Sequence, residues 1–342
     1  MSPSPAIVAA RAPVRAAKRR PISIVAWIAC LTSMLATTLT SAQDYPSRSV
    51  RMVVPFAAGG PADIYARFLA QRLSEALGQS FVVDNRPGGG AVIGTDAAAK
   101  SAADGYTLLV MSNAHTVNES LMPNKPYALM RDFVGVAPIN YSDLVLVVHP
   151  SVKANTISEL VAQAKAEPGK MTYASSGPGT PYHMAGELFK AMAGVDILHV
   201  PYKGSAGART DVLGGQVQMM LDAVTTMSQH AREGKVKALG TTGLARSAVL
   251  PQVPTIAESG VPGYEATIWL GVMAPKATSP AIVARLNAEI VRIVSRQEVR
   301  DEWAKQGAAP LVMNPSEFAR YLEQDIAKWE RIVRISGAKP DQ

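Results

Sequence analysis

From Val50 onward the apolar positions follow two alternating patterns. Short apolar runs, often β-branched, are separated by stretches in which apolar residues recur every three or four positions. The first run, Val50–Val54, is closed by Pro55. After a Gly-Gly-Pro loop, Tyr65, Phe68, Leu69, Leu73, Ala76 and Leu77 share a helical face that Gly78 stops. Further strands are predicted at 81–83, 106–111, 144–148, 171–174, 197–200, 217–221, 236–239 and 268–273. Helices are predicted through Ala99, from Thr156-Ile157-Ser158-Glu159 (a capping box) to near Pro168-Gly169, and over 181–193. Two more open at Ser279-Pro280 and at Asn314-Pro315-Ser316-Glu317, the last ending at Gly337. Alternation of this kind implies α/β layers with largely parallel strands. The runs at 144–148 and 268–273 each lead between self-contained segments, so they are the candidate crossings between two domains.

The first forty-two residues follow a different rule. Arg11, Arg15, Lys18, Arg19 and Arg20 precede an apolar run from Ile22 to about Leu39, and Thr40-Ser41-Ala42 ends it with small residues. This is the pattern of a secretory signal peptide cleaved after Ala42, which implies a periplasmic protein. Arg19-Arg20 leaves general secretory and twin-arginine export both open. Cys30, the single cysteine of the 342 residues, lies inside that apolar run. The mature chain then has no disulfide, no cysteine-based metal site and no thiol nucleophile.

Removal of the leader changes the charge. The whole chain carries 34 Lys+Arg against 27 Asp+Glu, a net +7. Taking away five positive and no negative residues leaves 29 against 27, or +2. The nucleic-acid reading that a basic chain invites loses its support.

Catalytic signatures are absent from the sequence. There is no Gly-x-Ser-x-Gly elbow, no phosphate-binding Gly-x-x-x-x-Gly-Lys-Ser/Thr and no Gly-x-Gly-x-x-Gly after a strand. His115, His149, His183, His199 and His230 lie too far apart in sequence to form a helical metal pair. What remains is a set of polar, glycine-bearing loops at strand ends, where α/β proteins bind ligands. The first runs Phe56-Ala57-Ala58-Gly59-Gly60-Pro61-Ala62-Asp63 into a helix, and the second is Ser175-Ser176-Gly177-Pro178-Gly179-Thr180 with His183 just beyond. Ser112-Asn113-Ala114-His115 and Tyr202-Lys203-Gly204-Ser205 are the others. Glycine lets the backbone approach a ligand, and a helix N-terminus adds partial positive charge, so such loops suit a carboxylate or phosphate. Asp63 reads either as a helix N-cap or as a ligand contact. His183 reads as structural or ligand-binding, Lys203 as solvated or as the partner of an acid. Arg86-Pro87-Gly88-Gly89-Gly90 reads as a tight strand-to-helix turn or as an anion cradle.

The motifs resemble those of the Bug family, the periplasmic receptors of tripartite tricarboxylate transporters. The resemblance rests on Val54-Pro55-Phe56 with Gly59-Gly60-Pro61 and Asp63, on Asn85-Arg86-Pro87-Gly88, and on Asp104-Gly105-Tyr106-Thr107-Leu108-Leu109. It continues through Tyr173-Ala174-Ser175, Ala185-Gly186-Glu187-Leu188-Phe189, His199-Val200-Pro201-Tyr202-Lys203-Gly204 and Leu213-Gly214-Gly215-Gln216-Val217. Val253-Pro254-Thr255, Pro262-Gly263-Tyr264-Glu265 and Lys328-Trp329 complete it, so it spans almost the whole mature chain.

The resemblance implies a type II periplasmic-binding-protein-like fold of two α/β domains, joined by two crossing strands, with the ligand in the cleft between them. The expected domains are 43–143 with 268–342, and 144–267. It implies a small carboxylate-bearing ligand, an organic acid or amino acid, held by backbone amides and hydroxyls and delivered to integral membrane transporter subunits. The expected contacts are Phe56, Ala57, Ala58, Gly59, Gly60, Pro61, Ala62, Asp63, Ser112, Asn113, Ser175, Ser176, Gly177, Gly179, Thr180, His183, Tyr202, Lys203, Gly204 and Asp222. No cofactor, metal, nucleic acid or catalytic residue is expected, and the chain is expected to be a monomer. The alternatives are a ligand-presenting sensor and an enzyme acting on a small organic acid. Four positions depart from the family pattern: Ala58 and Gly207 stand where proline is usual, Ala62 where a hydroxyl residue is usual, and Asn118-Glu119 where Asn-Pro is usual.

Overall fold

A computed structural model describes residues 45–339. The expected leader, its cleavage site and Cys30 lie outside the described residues. The first half of the fold begins with β1 (Val50–Val54), α1 (Pro61–Leu77), β2 (Phe81–Asn85), α2 (Val92–Ala99) and β3 (Thr107–Ser112). β1 lies between β2 and β3, parallel to both. Val50, Met52, Val53 and Val54 are all buried, because helices cover both faces of a parallel sheet and leave no solvent side for polar residues. α1 starts with Pro61 after N-cap Gly60 and stops at Gly78, whose left-handed backbone lets its N–H return to the Ser74 carbonyl. Its buried face is Tyr65, Ala66, Leu69 and Leu73; Ala76, expected on that face, is exposed.

Next come α3 (Asn113–Leu121), the single turn α4 (Leu129–Asp132) and β4 (Phe133–Val148). The sequence pattern marks only the last five residues of this 16-residue strand. Its first part pairs antiparallel with β9 (Thr267–Pro275), from Phe133 opposite Pro275 to Asp143 opposite Thr267. Irregularities at Gly135/Ala137 and Pro138/Asn140 break the alternation there, and a bulge is where a central strand tolerates proline. The short β10 (Ala308–Pro310) lies along the same part of β4, and β9 also pairs with β3.

From Leu144 the same strand enters the other half of the sheet. There it pairs antiparallel with β7 (Met219–Ala223) and β8 (Lys237–Thr241), while β5 (Thr172–Ser175) and β6 (Leu198–Pro201) continue the sheet in parallel. The strand order is β2-β1-β3-β9-β4-β7-β5-β6, so one curled sheet runs through both halves by way of β4. The run at 268–273 lies within the first half. The chain reaches it at Ala266, whose N–H is held by the Thr242 carbonyl.

The helices of the second half are α5 (Ile157–Ala166), α6 (Pro181–Ala193), α7 (Ser205–Leu213) and α8 (Val224–Arg232), and α9 (Pro280–Val294), α10 (Gln297–Gln306) and α11 (Pro315–Ser336) close the chain. The capping box expected at Thr156 forms by halves. Thr156 accepts from the Glu159 N–H, but the Glu159 carboxylate reaches back to the Asn155 N–H instead. The Asn314–Glu317 box forms completely. α11 joins two cores. Phe318 and Leu322 pack with Leu109, Phe133 and Trp269 of the first half, and Trp329 and Ile332 pack with Leu146, Leu188 and Phe189 of the second. Between them Asp325 accepts hydrogen bonds from Thr116 Oγ1 (2.6 Å) and Trp269 Nε1 (3.3 Å).

Candidate functional site

Four strand-to-helix junctions meet where β4 passes from one half to the other. They follow β1, β3, β5 and β6, each at the carboxyl end of its strand. Together they wall an inner chamber of about 20 Å³, room for one water-sized group in this conformation. Its wall is built from helix starts. Gly60, Pro61 and Ala62 open α1, Ser112 caps α3, Pro181 and Tyr182 open α6, and Gly204 and Ser205 open α7. Ile268 and Leu270 of β9 complete it. Each helix start carries N–H groups without intrahelical partners and the positive end of a macrodipole. Among the described residues no charged side chain lines the chamber, so the polar groups it offers are backbone N–H groups and hydroxyls.

The hydroxyls differ in their engagement. Ser112 Oγ accepts from the Ala114 N–H, and buried His115 holds the Ser112 backbone from behind. Burial drops the His115 imidazole to about 4, so it is neutral. Ser176 Oγ is buried and has no hydrogen-bond partner, at a residue that lines the chamber. Desolvation also raises the Tyr182 hydroxyl well above its ordinary value, with the Asp222 charge adding to it, so that phenol stays protonated.

The two halves touch across the chamber. A Cβ built on Gly204 would stand 2.8 Å from the Ala57 Cβ, and one on Gly60 3.1 Å from Ser205 Oγ. Gly90 faces the Pro178 carbonyl so closely that no side chain fits. The cleft is therefore closed. Outside this contact lies a second cavity of about 610 Å³, which shares Phe56 and Ser176 with the inner one. Gly88–Gly90, Met122 to Pro126, Gly177, Thr180, Tyr202 and Lys203 line it.

The sequence-predicted residues thus divide. Phe56, Ala57, Gly60, Pro61, Ala62, Ser112, Ser176 and Gly204 line the inner chamber; Gly177, Thr180, Tyr202 and Lys203 line the outer cavity. Ala58 and Gly59 are exposed and line neither. Asp63 is not the N-cap, a position Gly60 holds. Burial would raise its carboxyl, but hydrogen bonds from Arg67, the Gly59 N–H and Asn85 bring it below the usual range. The Arg67 ion pair (2.9 Å) removes its repulsion of an anion. Asn113 is buried, its Nδ2 on the Thr267 carbonyl at the entry to β9.

Ser175, Gly179, His183 and Asp222 stand behind the wall. Ser175 Oγ lies 2.6 Å from His199 Nε2 and accepts from the Gly177 N–H. His183 stacks on His199 at 4.2 Å and accepts from the Gly179 N–H through Nδ1. Burial, with His199 and Lys190 nearby, drops His183 to about 3, so it is a neutral acceptor that holds the loop. Asp222 is fully buried against Arg209, with Nε and a terminal nitrogen both at 2.9 Å. Burial outweighs the arginine, the Ala223 N–H and Thr226 and raises its carboxyl.

Sequence reasoning did not reach Tyr182, Ile268 and Leu270. Ser205, the end of the fourth candidate loop, lines the inner chamber as the first residue of α7. Tyr182 and the β9 residues carry no local signal, because apolar spacing assigns them to core. The Gly88–Gly90 turn is both of its readings at once, tightly packed against Pro178 and part of a cavity wall.

The chain is similar to known receptors over most of its length. Residues 65–337 match the tripartite tricarboxylate transporter family receptor, TctC. Protein BugT of Bordetella pertussis (strain Tohama I) is 42% identical over 301 residues, 87% of this chain and 92% of that one. The structure of R. palustris Rpa4515 with adipate superposes with a TM-score of 0.84 at 36% identity, covering 87% of this chain and all of the other. MatC (Rpa3494) from Rhodopseudomonas palustris with bound malate gives 0.81 at 31% identity, over 84% of this chain and 100% of that one. With this closed two-part α/β architecture and the matched motifs, the chain belongs to the tripartite tricarboxylate transporter receptor family, the family of the Bug periplasmic binding proteins.

Proposed function

We propose that this protein is an exported receptor that captures a small carboxylate-bearing solute between two domains and delivers it to an integral membrane transporter. The observation that carries the reading is the inner chamber, where four helix starts and the unpartnered Ser176 hydroxyl converge with no charged side chain in the wall. Donors without a fixed countercharge suit an anion that must later be released. The adipate and malate bound by structural neighbours support the same class of ligand. The domains are 43–143 with 268–342, and 144–267. They hinge near Asp143–Leu144 and Ala266–Thr267, with α11 packed along both. Ligand contacts come from the residues lining the inner chamber, and Asp63, Ser175, His183 and Asp222 hold the loops in shape.

Binding without catalysis fits the site. The Ser175–His199 pair resembles the start of a catalytic set, yet Ser175 is fully buried and lines neither cavity. The leader is cleaved after Ala42, and no cofactor is needed. A thermal-shift screen of the exported protein tests the reading. Carboxylic acids should raise the melting temperature in a dose-dependent way and be recovered chemically unchanged. A neutral solute that binds tightly while no acid does would overturn it.

A further inference from the structure

Both chain crossings between the halves are tied to one residue. Thr242, buried just after β8, donates its N–H to the Leu144 carbonyl (3.0 Å) and accepts the Leu144 N–H on Oγ1 (2.8 Å). Its own carbonyl takes the Ala266 N–H at 3.1 Å. A carboxylate precedes each clamped residue, Asp143 before Leu144 and Glu265 before Ala266. The two belong to different halves. Asp143 is paired with Thr267 in the first-half sheet. Glu265 follows Tyr264, whose hydroxyl donates to the Ala185 carbonyl in the core of the second half. Asp143 lies against Gly243, where a Cβ would stand 2.5 Å from its Oδ2. Burial and the Glu265 charge raise the Asp143 carboxyl, and among the described residues no ion pair offsets them. Glu265 has Lys328 at 3.7 Å.

Both carboxylates face α11, away from the chamber. Strand pairing sets this. Ser142 stands opposite Ile268, which lines the chamber, so Asp143 and Thr267 point to the other face, with Tyr141 and Trp269. Trp269 packs on Phe318 and Tyr321 of α11, and Glu265 reaches Lys328 of the same helix. A rotation at Thr242 that parts the chamber face narrows the α11 face. Opening therefore presses the two carboxylates together and strips them of water, and both effects oppose it. We infer that Asp143 and Glu265 form a repulsive pair, pivoted on Thr242, that holds the hinge toward closure. The repulsion is relieved as the cleft shuts, so closing on a solute costs less. This rests on the two-domain capture reading above and goes further by naming the residues that set its balance.

Spin labels on Ile93→Cys and Thr210→Cys, exposed positions of α2 and α7, report the distance across the cleft in the ligand-free protein. Cys30→Ser removes the single native cysteine from every variant. Gly204→Ala, whose added Cβ would meet Ala57, supplies the open reference. In about 0.02 M salt, Asp143→Asn and Glu265→Gln should each raise the open-to-closed ratio about three- to fivefold, the range of a partly exposed charge pair. In about 1 M salt, where the screening length is ~3 Å, that shift should vanish. Asp143→Glu, which keeps the charge, should stay near wild type. If Gly204→Ala opens the cleft but Asp143→Asn leaves the distances unchanged, shortens them, or lengthens them equally at both salts, the repulsive-pair inference is overturned and the hinge stands. If Gly204→Ala does not lengthen the distance either, the hinged capture reading falls with it.

Discussion

Closure of the cleft depends on one missing side chain. Gly204 has extended backbone (φ 170°), which any residue adopts, so alanine there carries no dihedral strain. Its Cβ, however, would lie 2.8 Å from the Cβ of Ala57 in the opposite half. Neither atom is at the end of a flexible chain. The gap must widen by ~0.6 Å to reach the 3.4 Å of ordinary contact. Overpacking of this kind costs typically ~1–3 kcal/mol, and here it falls on the closed state alone. If ligand binding requires closure, Gly204→Ala weakens binding by about 5- to 150-fold. The ligand-free protein should melt within about 1 kcal/mol of wild type, since a poorer N-cap is offset by a less flexible unfolded chain. Isothermal titration with the tightest-binding carboxylic acid and a melt without it measure both quantities. Wild-type affinity in Gly204→Ala, or a loss of ligand-free stability as large as the loss of binding, would refute the reasoning.

Three further outcomes are expected. Ser176→Ala removes a buried hydroxyl that has no partner, so the ligand-free melting temperature should hold or rise, while affinity for an acid falls about tenfold or more if the hydroxyl donates to the carboxylate. Unchanged affinity would place the hydroxyl outside the binding contacts. Ala62→Ser restores a hydroxyl to the start of α1, at a residue lining the inner chamber, and should tighten binding of short acids by several-fold; weaker binding would indicate that the small side chain is there for space. Asp325 is raised by burial from 3.8 to about 6, against hydrogen bonds from Thr116 and the attraction of Lys328. The folded state therefore holds this proton more tightly than the unfolded chain. The group's effect on stability is absent below about pH 4, and it destabilises progressively as pH rises through about 6, by of order 3 kcal/mol. Melts of Asp325→Asn and wild type should then converge near pH 4 and separate in favour of the variant above pH 6; parallel curves would contradict this.

Local sequence determined much of the scaffold because its signals are local forces. Val50–Val54 forms β1 with those bounds because a β-branched run is ended by proline. The Asn314–Glu317 box starts α11 because both its hydrogen bonds join residues three apart. The binding loops were legible for the same reason, as glycines and hydroxyls at helix starts. Tertiary structure decided the rest. α3 reads as polar, yet Asn113, His115, Thr116 and Asn118 are all buried, because Thr116 meets Asp325, 209 residues away, and Asn113 meets Thr267 across 154. The first part of β4 carries Gly135, Pro138 and Asn140 and becomes a strand only because β9 pairs with it. Asp63, which by sequence opposes an anion, is neutralised by Arg67 and a loop amide once α1 forms. The sequence by itself thus determined two of the helix starts, at Pro61 and Pro181, and marked the other two, at Asn113 and Ser205, only as polar loops at strand ends. That they point into one chamber follows from the order of strands in the sheet, which depends on contacts between distant residues.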